Sequence, residues 1–149
     1  MAEHEKYMRL ALQEARTAAE AGEVPVGCVI TGPDGGVIGR GRNMREETGD
    51  ASAHAEVLAI RQACRTLGTW RLEGCVMYVT LEPCPMCAGA VVNSRIPTVV
   101  FGAKDAAAGS CGSVINLFEE RYGHRPAVYG GVLEDECSAL LKDFFKTLR

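Results

Sequence analysis

Two short motifs hold the residue types able to do chemistry: His54-Ala55-Glu56 and Pro83-Cys84-Pro85-Met86-Cys87. The two thiols of the second motif are three positions apart at the start of a predicted helix. Residues i and i+3 share one helix face, so both sulfurs can reach a single ion. A helix N-terminus also favours the thiolate, which is the form that ligates a metal. With His54 the set is two Cys and one His. A structural zinc site takes four protein ligands, whereas a catalytic one leaves a position for water. His4 and His124 lie far off in sequence and belong to no paired motif. The set therefore points to an open zinc site, at which water ionises at a pH of about 7. Glu56, two residues past His54, can sit beside that water without touching the metal and can move protons. Singly, the pieces have plainer readings. Cys-x-x-Cys occurs as a redox pair or as half of a four-ligand zinc site, and Glu56 could be a solvated carboxylate at a helix start. Their combination favours the catalytic reading.

The elements that must position these residues follow from periodicity. Residues 4–22 place Tyr7, Met8, Ala11, Leu12, Ala15 and Ala18 at helical spacing, with Gly22 as the stop. Residues 26–31 and 37–42 read as a β-hairpin across the turn Gly32-Pro33-Asp34-Gly35-Gly36. Residues 43–52 are polar and read as a loop, and 53–67 as a helix capped by Ser52. Then come a buried strand over 75–80, a helix over 83–94 with proline near its start, and a strand over 98–101. A short helix around 114–120, a short strand at 127–129 and an amphipathic helix over 134–148 complete the chain. Strands alternating with helices predict an α/β layered domain.

The chain has 149 residues, which suits one domain over 1–149, and no repeat, linker or low-complexity stretch interrupts it. Its net charge of −3 counts against a large nucleic-acid footprint, since such binders carry a basic excess. A small local footprint is compatible with it. The first residues are polar, with no signal-peptide core, and no apolar run approaches the roughly 18 residues of a membrane span. The expectation is a cytoplasmic protein with no membrane association and with reduced thiols. Of the seven cysteines, Cys28, Cys64, Cys75 and Cys137 read as small core residues, and Cys111 falls in a Gly/Ser stretch. His4 and His124 read as surface residues, and Trp70 as packing after a helix.

H-x-E followed by P-C-x-x-C is the signature of zinc nucleobase deaminases. From about Tyr7 to Arg149 the chain further resembles the bacterial tRNA-specific adenosine deaminases. The resemblance is carried by Glu23-Val24-Pro25-Val26-Gly27, Gly41-Arg42-Asn43, Cys87-Ala88-Gly89-Ala90 and Ser94-Arg95-Ile96. It continues through Val99-Val100-Phe101-Gly102-Ala103-Lys104-Asp105, Gly112-Ser113 and Asp143-Phe144-Phe145. The metal motifs are shared with cytidine, deoxycytidylate and guanine deaminases. The Cys-Ala-Gly-Ala and Phe-Gly-Ala-Lys-Asp stretches and the paired phenylalanines point to the tRNA branch.

The resemblance implies a cytidine deaminase-like, three-layer α/β/α fold with a five-stranded mixed sheet, working as a homodimer with one Zn2+ per subunit. It implies hydrolytic conversion of adenosine to inosine at the wobble position of an arginine tRNA with an ACG anticodon. His54, Cys84 and Cys87 would hold the metal and Glu56 would be catalytic. Asn43 matches a residue that hydrogen-bonds the flipped base, and Val26 and Leu81 match apolar pocket walls. Asp105, Phe144 and Phe145 match positions near the anticodon loop. Asn43 also reads as a turn residue, and the phenylalanines as packing for the last helix. The chain departs from the family at Ala106-Ala107, where Pro-Lys is frequent; a lysine there would be a natural phosphate contact. Arg42, Arg45, Lys142, Lys146 and Arg149 could compensate. Two other readings stand beside this one: a deaminase of a free base or nucleotide (guanine, cytosine, deoxycytidylate), and a non-catalytic zinc-binding partner subunit.

Overall fold

The computed structural model describes residues 2–148. Five strands form one mixed sheet in the order β2-β1-β3-β4-β5. The hairpin strands β1 (Gly27–Thr31) and β2 (Val37–Arg42) are antiparallel, and β1 is also antiparallel to β3 (Val76–Leu81). The strands β3, β4 (Thr98–Ala103) and β5 (Ala127–Tyr129) run parallel. Parallel neighbours need a crossover, and helix α4 (Pro85–Ser94) supplies the one between β3 and β4.

Side chains alternate across a strand, and here the alternation divides the core in two. Cys28, Ile30, Met77, Val79, Val99 and Phe101 face one way and pack against α3 (Ala55–Leu67) and α4. Val29, Tyr78 and Val100 face the other way, against α1 (Ala2–Glu20) and α5 (Glu134–Thr147). The result is the expected α/β/α sandwich. The helices lie close to the sheet because glycine occupies the contact points. A Cβ at Gly27 would strike the α1 backbone at Ala11 and Ala15, and Cβ atoms at Gly39 and Gly41 would strike α3 at Ala59 and Ala55.

Several local expectations differ from what is found. The expected loop over 43–52 contains a one-turn helix, α2 (Arg45–Thr48). The buried carboxylate of Glu23 makes it possible, accepting the free N-terminal amides of Glu46 at 3.1 Å and Glu47 at 2.7 Å. Ser52 does not cap α3. Its amide and hydroxyl both donate to Asp50 Oδ1, and His54 occupies the N-cap position. The helix expected around 114–120 is a single 3-10 turn, Leu117–Glu119, started by Asn116 Oδ1 accepting from the Phe118 amide at 3.2 Å.

His4 and His124 are half-buried, not surface residues. His4 Nδ1 lies 3.2 Å from the Tyr78 hydroxyl, and His124 Nε2 lies 2.7 Å from the Ile96 carbonyl oxygen. Trp70 is 53% exposed, with the guanidinium of Arg71 4.7 Å and that of Arg95 5.7 Å from its ring centre. It therefore stacks with cations at the surface and does not pack inward. Cys28, Cys75, Cys111 and Cys137 are buried, and Cys64 is half-buried.

Candidate active site

Two helices begin at the same place. His54 (φ −79°, ψ 151°) is the N-cap residue of α3, and Cys84 (φ −75°, ψ 174°) is the N-cap residue of α4. Pro85 follows as the first residue of α4, where its missing amide hydrogen would have had no partner. Cys87 lies in the first turn of the same helix and is fully buried. The positive ends of two helix dipoles thus converge on two sulfurs and an imidazole.

His54 Nδ1 is 3.6 Å from the sulfur of Cys84 and 3.6 Å from that of Cys87. All the donor atoms of the cluster lie within 4.8 Å of one another. A tetrahedral ion with Zn–S of about 2.3 Å and Zn–N of about 2.0–2.1 Å sets each N–S separation at about 3.6 Å. The donor set and its spacing therefore fit zinc. Among the described residues no fourth His, Cys, Asp or Glu joins this cluster.

The sulfurs are biased toward ionisation. A hydrogen bond from Cys87 holds the Cys84 thiol down at about 4, with burial opposing and His54 assisting. Cys87 is pushed up by that same hydrogen bond and by burial. His54 is raised, chiefly by its bond to Cys84. A metal replaces these protons with one cation, and release of protons on binding follows.

Glu56, in the first turn of α3, is 4% exposed. Burial pushes its carboxyl up to about 7. That is a suitable value for a group that must both take and give a proton at neutral pH.

The cluster lies at one side of a cavity of about 550 Å³ at the C-terminal ends of β3 and β4. Open α/β sheets commonly place ligands at this edge. His54, Glu56 and Cys84 reach the cavity, and Cys87 stands behind them. Val24, Val26 and Leu81 supply apolar wall. Asn43 is buried at the rim. Its Nδ2 donates to the Val24 carbonyl at 3.2 Å and its Oδ1 accepts the Arg45 amide at 3.2 Å. An amide side chain offers two donor hydrogens and two lone pairs, so one of each remains for a ligand.

Asp105 lines the cavity too, but its carboxylate caps its own turn, accepting the amides of Ala107 at 3.0 Å and Ala108 at 3.2 Å. Phe145 reaches the cavity, whereas Phe144 does not; their rings meet edge to face at 5.6 Å. Ala106 and Ala107 form part of the same wall.

Of the basic residues weighed from sequence, Arg45 lines the cavity, Arg42 pairs with Glu47 at 3.2 Å, and Arg149 is outside the described residues. Lys142 and Lys146 line a neighbouring groove along α5. Five cavity residues outside the two motifs were not given a role from sequence: Val24, Glu82, Lys104, Ala108 and Leu141. Lys104 and Arg45 take part in none of the ion pairs found among the described residues, so two cations at the cavity are free for an anionic ligand. The signal for Lys104 was its place in the Phe-Gly-Ala-Lys-Asp stretch, one residue before Asp105.

Comparison with known proteins gives the same picture. Residues 1–103 match the family model described as the cytidine and deoxycytidylate deaminase zinc-binding region. A tRNA-specific adenosine deaminase of Bacillus subtilis is 53% identical over 150 aligned positions, spanning 100% of this chain and 92% of that protein. A structure solved in a study of A-to-I editing by tRNA:A34 deaminases at the wobble position of transfer RNA superimposes with a TM-score of 0.87. It is 45% identical, over 91% of this chain and 99% of that one. A guanine deaminase from Nitrosomonas europaea shares the fold at a TM-score of 0.82 but only 27% identity, over 94% and 83% of the two chains. A zinc-fitting cluster at the side of the cavity, together with these likenesses, establishes that the chain belongs to the zinc-binding cytidine and deoxycytidylate deaminase family and, within it, to the tRNA-specific adenosine deaminases.

Proposed function

We propose that the chain deaminates adenosine to inosine at position 34 of a tRNA by hydrolysis, and that an arginine tRNA with an ACG anticodon is a substrate. The observation that carries this reading is the cavity of about 550 Å³, with an open three-ligand cluster and the buried Glu56 on its wall. Zinc held by His54, Cys84 and Cys87 supplies, when bound, an activated water at neutral pH.

The chain's own residues do the rest. Val24, Val26 and Leu81 hold the flat faces of the base, and Asn43 offers one donor and one acceptor to its edge. Glu56 takes a proton from the attacking water and delivers it to N1 of the adenine. It then takes the remaining proton of the hydroxyl added at C6 and passes it to the exocyclic nitrogen, which leaves as ammonia as the C6–N bond breaks and the C6 carbonyl forms. Burial of Glu56 keeps bulk water from competing for that proton. The base must leave its stack to enter, and an anticodon loop presents it already unpaired. Arg45 and Lys104, both unpaired at the cavity, suit the flanking phosphates.

The active form is a homodimer, as the family resemblance implies, and Met86, Val114 and Ile115 are among the exposed apolar residues open to such a contact. The chain acts as one domain in the cytoplasm. Seven unpaired cysteines suit a reducing compartment, and among the described residues no helix is long and apolar enough to cross a membrane.

The test is incubation of purified, zinc-loaded protein with an arginine tRNA transcript bearing ACG, and separately with guanine, cytosine and deoxycytidylate. Inosine read as A-to-G at position 34 is expected. Ammonia from guanine with no inosine in the tRNA would overturn the assignment.

A further inference from the structure

One wall of the cavity is a loop. Lys104, Asp105, Ala106, Ala107 and Ala108 follow β4 and face the space where the base would lie. A second cavity, of about 360 Å³, adjoins it and is lined by Phe101, Cys111, Gly112 and Ser113. Glu82 and Lys104 border both cavities. This stretch of chain therefore stands between two spaces; beyond it the Ser110 amide donates to the Pro83 carbonyl at 2.8 Å and Cys111 packs into the core.

Glu82 holds the stretch in place. The residue is 2% exposed and lies between Leu81 and the Pro83-Cys84 pair. Its Oε1 accepts the Asp105 amide at 3.1 Å and the Ser113 hydroxyl. Its Oε2 accepts the amides of Cys111 at 3.0 Å and Ser113 at 3.0 Å. All these donors belong to the one loop, from its first residue to its return. Among the described residues Glu82 forms no ion pair. A buried carboxylate is expensive unless its oxygens are satisfied, and here the loop alone satisfies them. Gly109 belongs to the same arrangement, because a Cβ there would overlap the Glu82 carboxyl and the Asp105 carbonyl.

We propose that Glu82 is a positioning residue for the substrate wall: by gathering the ends of residues 105–113 onto one carboxylate, it sets the distance between Lys104–Ala108 and the bound nucleotide. The identity of that nucleotide rests on the tRNA reading above. Replacing the carboxylate should loosen substrate binding while leaving His54 and Glu56, which stand at the start of α3, in place; zinc content reports on Cys84, two residues along the chain.

The test compares wild type, Glu82→Gln and Gly109→Ala, each zinc-loaded, on an anticodon stem-loop substrate. Glutamine keeps the shape but places an N–H against amide donors, so at least one bond is lost and one donor is left unpaired. For E82Q, KM is expected to rise about tenfold with kcat within about twofold and zinc still one per chain. Amides of residues 105–113 should exchange with deuterium faster, those of α4 unchanged. G109A, which displaces the loop with Glu82 intact, should give the same KM rise and serves if E82Q does not fold. Wild-type KM with folded E82Q or G109A, or unchanged exchange across 105–113 in both, overturns the proposal. Failure of the wild type itself to act on the stem-loop counts against the tRNA reading, and the exchange rates still decide the role of Glu82.

Discussion

The seat of α3 against β2 offers a direct test of how packing sets the chemistry. Gly41 faces the first turn of α3. A Cβ there would strike the Ala55 carbonyl oxygen and come within 2.7 Å of the Ala59 amide nitrogen and 3.1 Å of the Ala55 carbonyl carbon. Ordinary contacts need about 3.5–4.0 Å, so in Gly41→Ala the helix start must retreat by about 1 Å. Ala55 is flanked by His54 and Glu56, so the retreat carries a metal ligand and the proposed proton carrier away from Cys84 and Cys87. Overpacking of this kind costs about 1–3 kcal/mol. For a domain of this size that corresponds to a fall of about 2–12 °C in Tm. A displacement of about 1 Å at reacting groups costs about a hundredfold in rate.

Two other glycines, Gly39 on the same strand and Gly89 in α4, make the comparison decisive. At Gly39 a Cβ would meet the Ala59 carbonyl oxygen and come within 3.1 Å of Ala63, one turn further from His54. Gly39→Ala should therefore lose similar stability but keep activity within several-fold of wild type. Gly89 lies in α4, and a Cβ there meets nothing within 4 Å. Gly89→Ala should raise stability by up to about 1 kcal/mol through helix propensity alone. The assays are thermal melting, zinc content by atomic absorption and inosine formation. If G41A and G39A lose activity equally, or if G41A melts and turns over like wild type, transmission through the start of α3 is refuted.

Further outcomes follow from the site. Glu56→Ala should keep zinc and lose at least about 10²–10⁴ in kcat, read by single-turnover inosine formation. Cys87→Ser or prolonged chelation should remove the metal, lower Tm and abolish turnover, with zinc restoring the chelated wild type but not the variant. Burial works against the Glu82 charge, but the Ser113 hydroxyl and the amides of Asp105, Ser113 and Cys111 outweigh it and hold its carboxyl below the usual 4.5. A depressed native pKa stabilises above the unfolded value and is lost as pH falls through the native one, so wild type should lose stability on acidification and E82Q should lose less, as measured by urea midpoints from pH 7 down to pH values below that carboxylate range. Ala107→Lys adds a cation to the cavity wall. It should tighten tRNA binding and steepen the log K against log salt slope by about 0.7–0.9, and an unchanged slope would place residue 107 away from phosphate.

The parts of the site legible in the sequence are those built from side chains of distinctive chemistry at short spacing. Cys84 and Cys87 share a helix face at a spacing that needs no tertiary knowledge, and His54 and Glu56 sit at the start of one helix. The layered fold was legible for a similar reason, since strand alternation and helical spacing each repeat within a few residues. What escaped was held by distant backbone. Glu82 bonds to amides 23 to 31 residues away, and Glu23 to amides 23 and 24 residues away. Every non-proline residue offers the same amide, so such a partner leaves no mark on the sequence, and a carboxylate devoted to it reads as one more surface charge.

The same reasoning bears on the absent lysine. Sequence reading looked beyond Asp105 for a phosphate contact and found Ala106 and Ala107. The fold places Lys104, which precedes Asp105, on the same wall, because the loop pinned by Glu82 turns directly after β4. Arg45 reaches the cavity from a different direction, on the one-turn helix that Glu23 holds in place. Two buried carboxylates that, among the described residues, have no cation partner thus each hold a segment that brings a cation, likewise in no ion pair there, to the cavity. That division lets a chain of net charge −3 place positive charge where a phosphate would come. It follows that neutralising Lys104 and Arg45 together should weaken tRNA binding far more than neutralising Lys142 and Lys146, the two exposed lysines of α5.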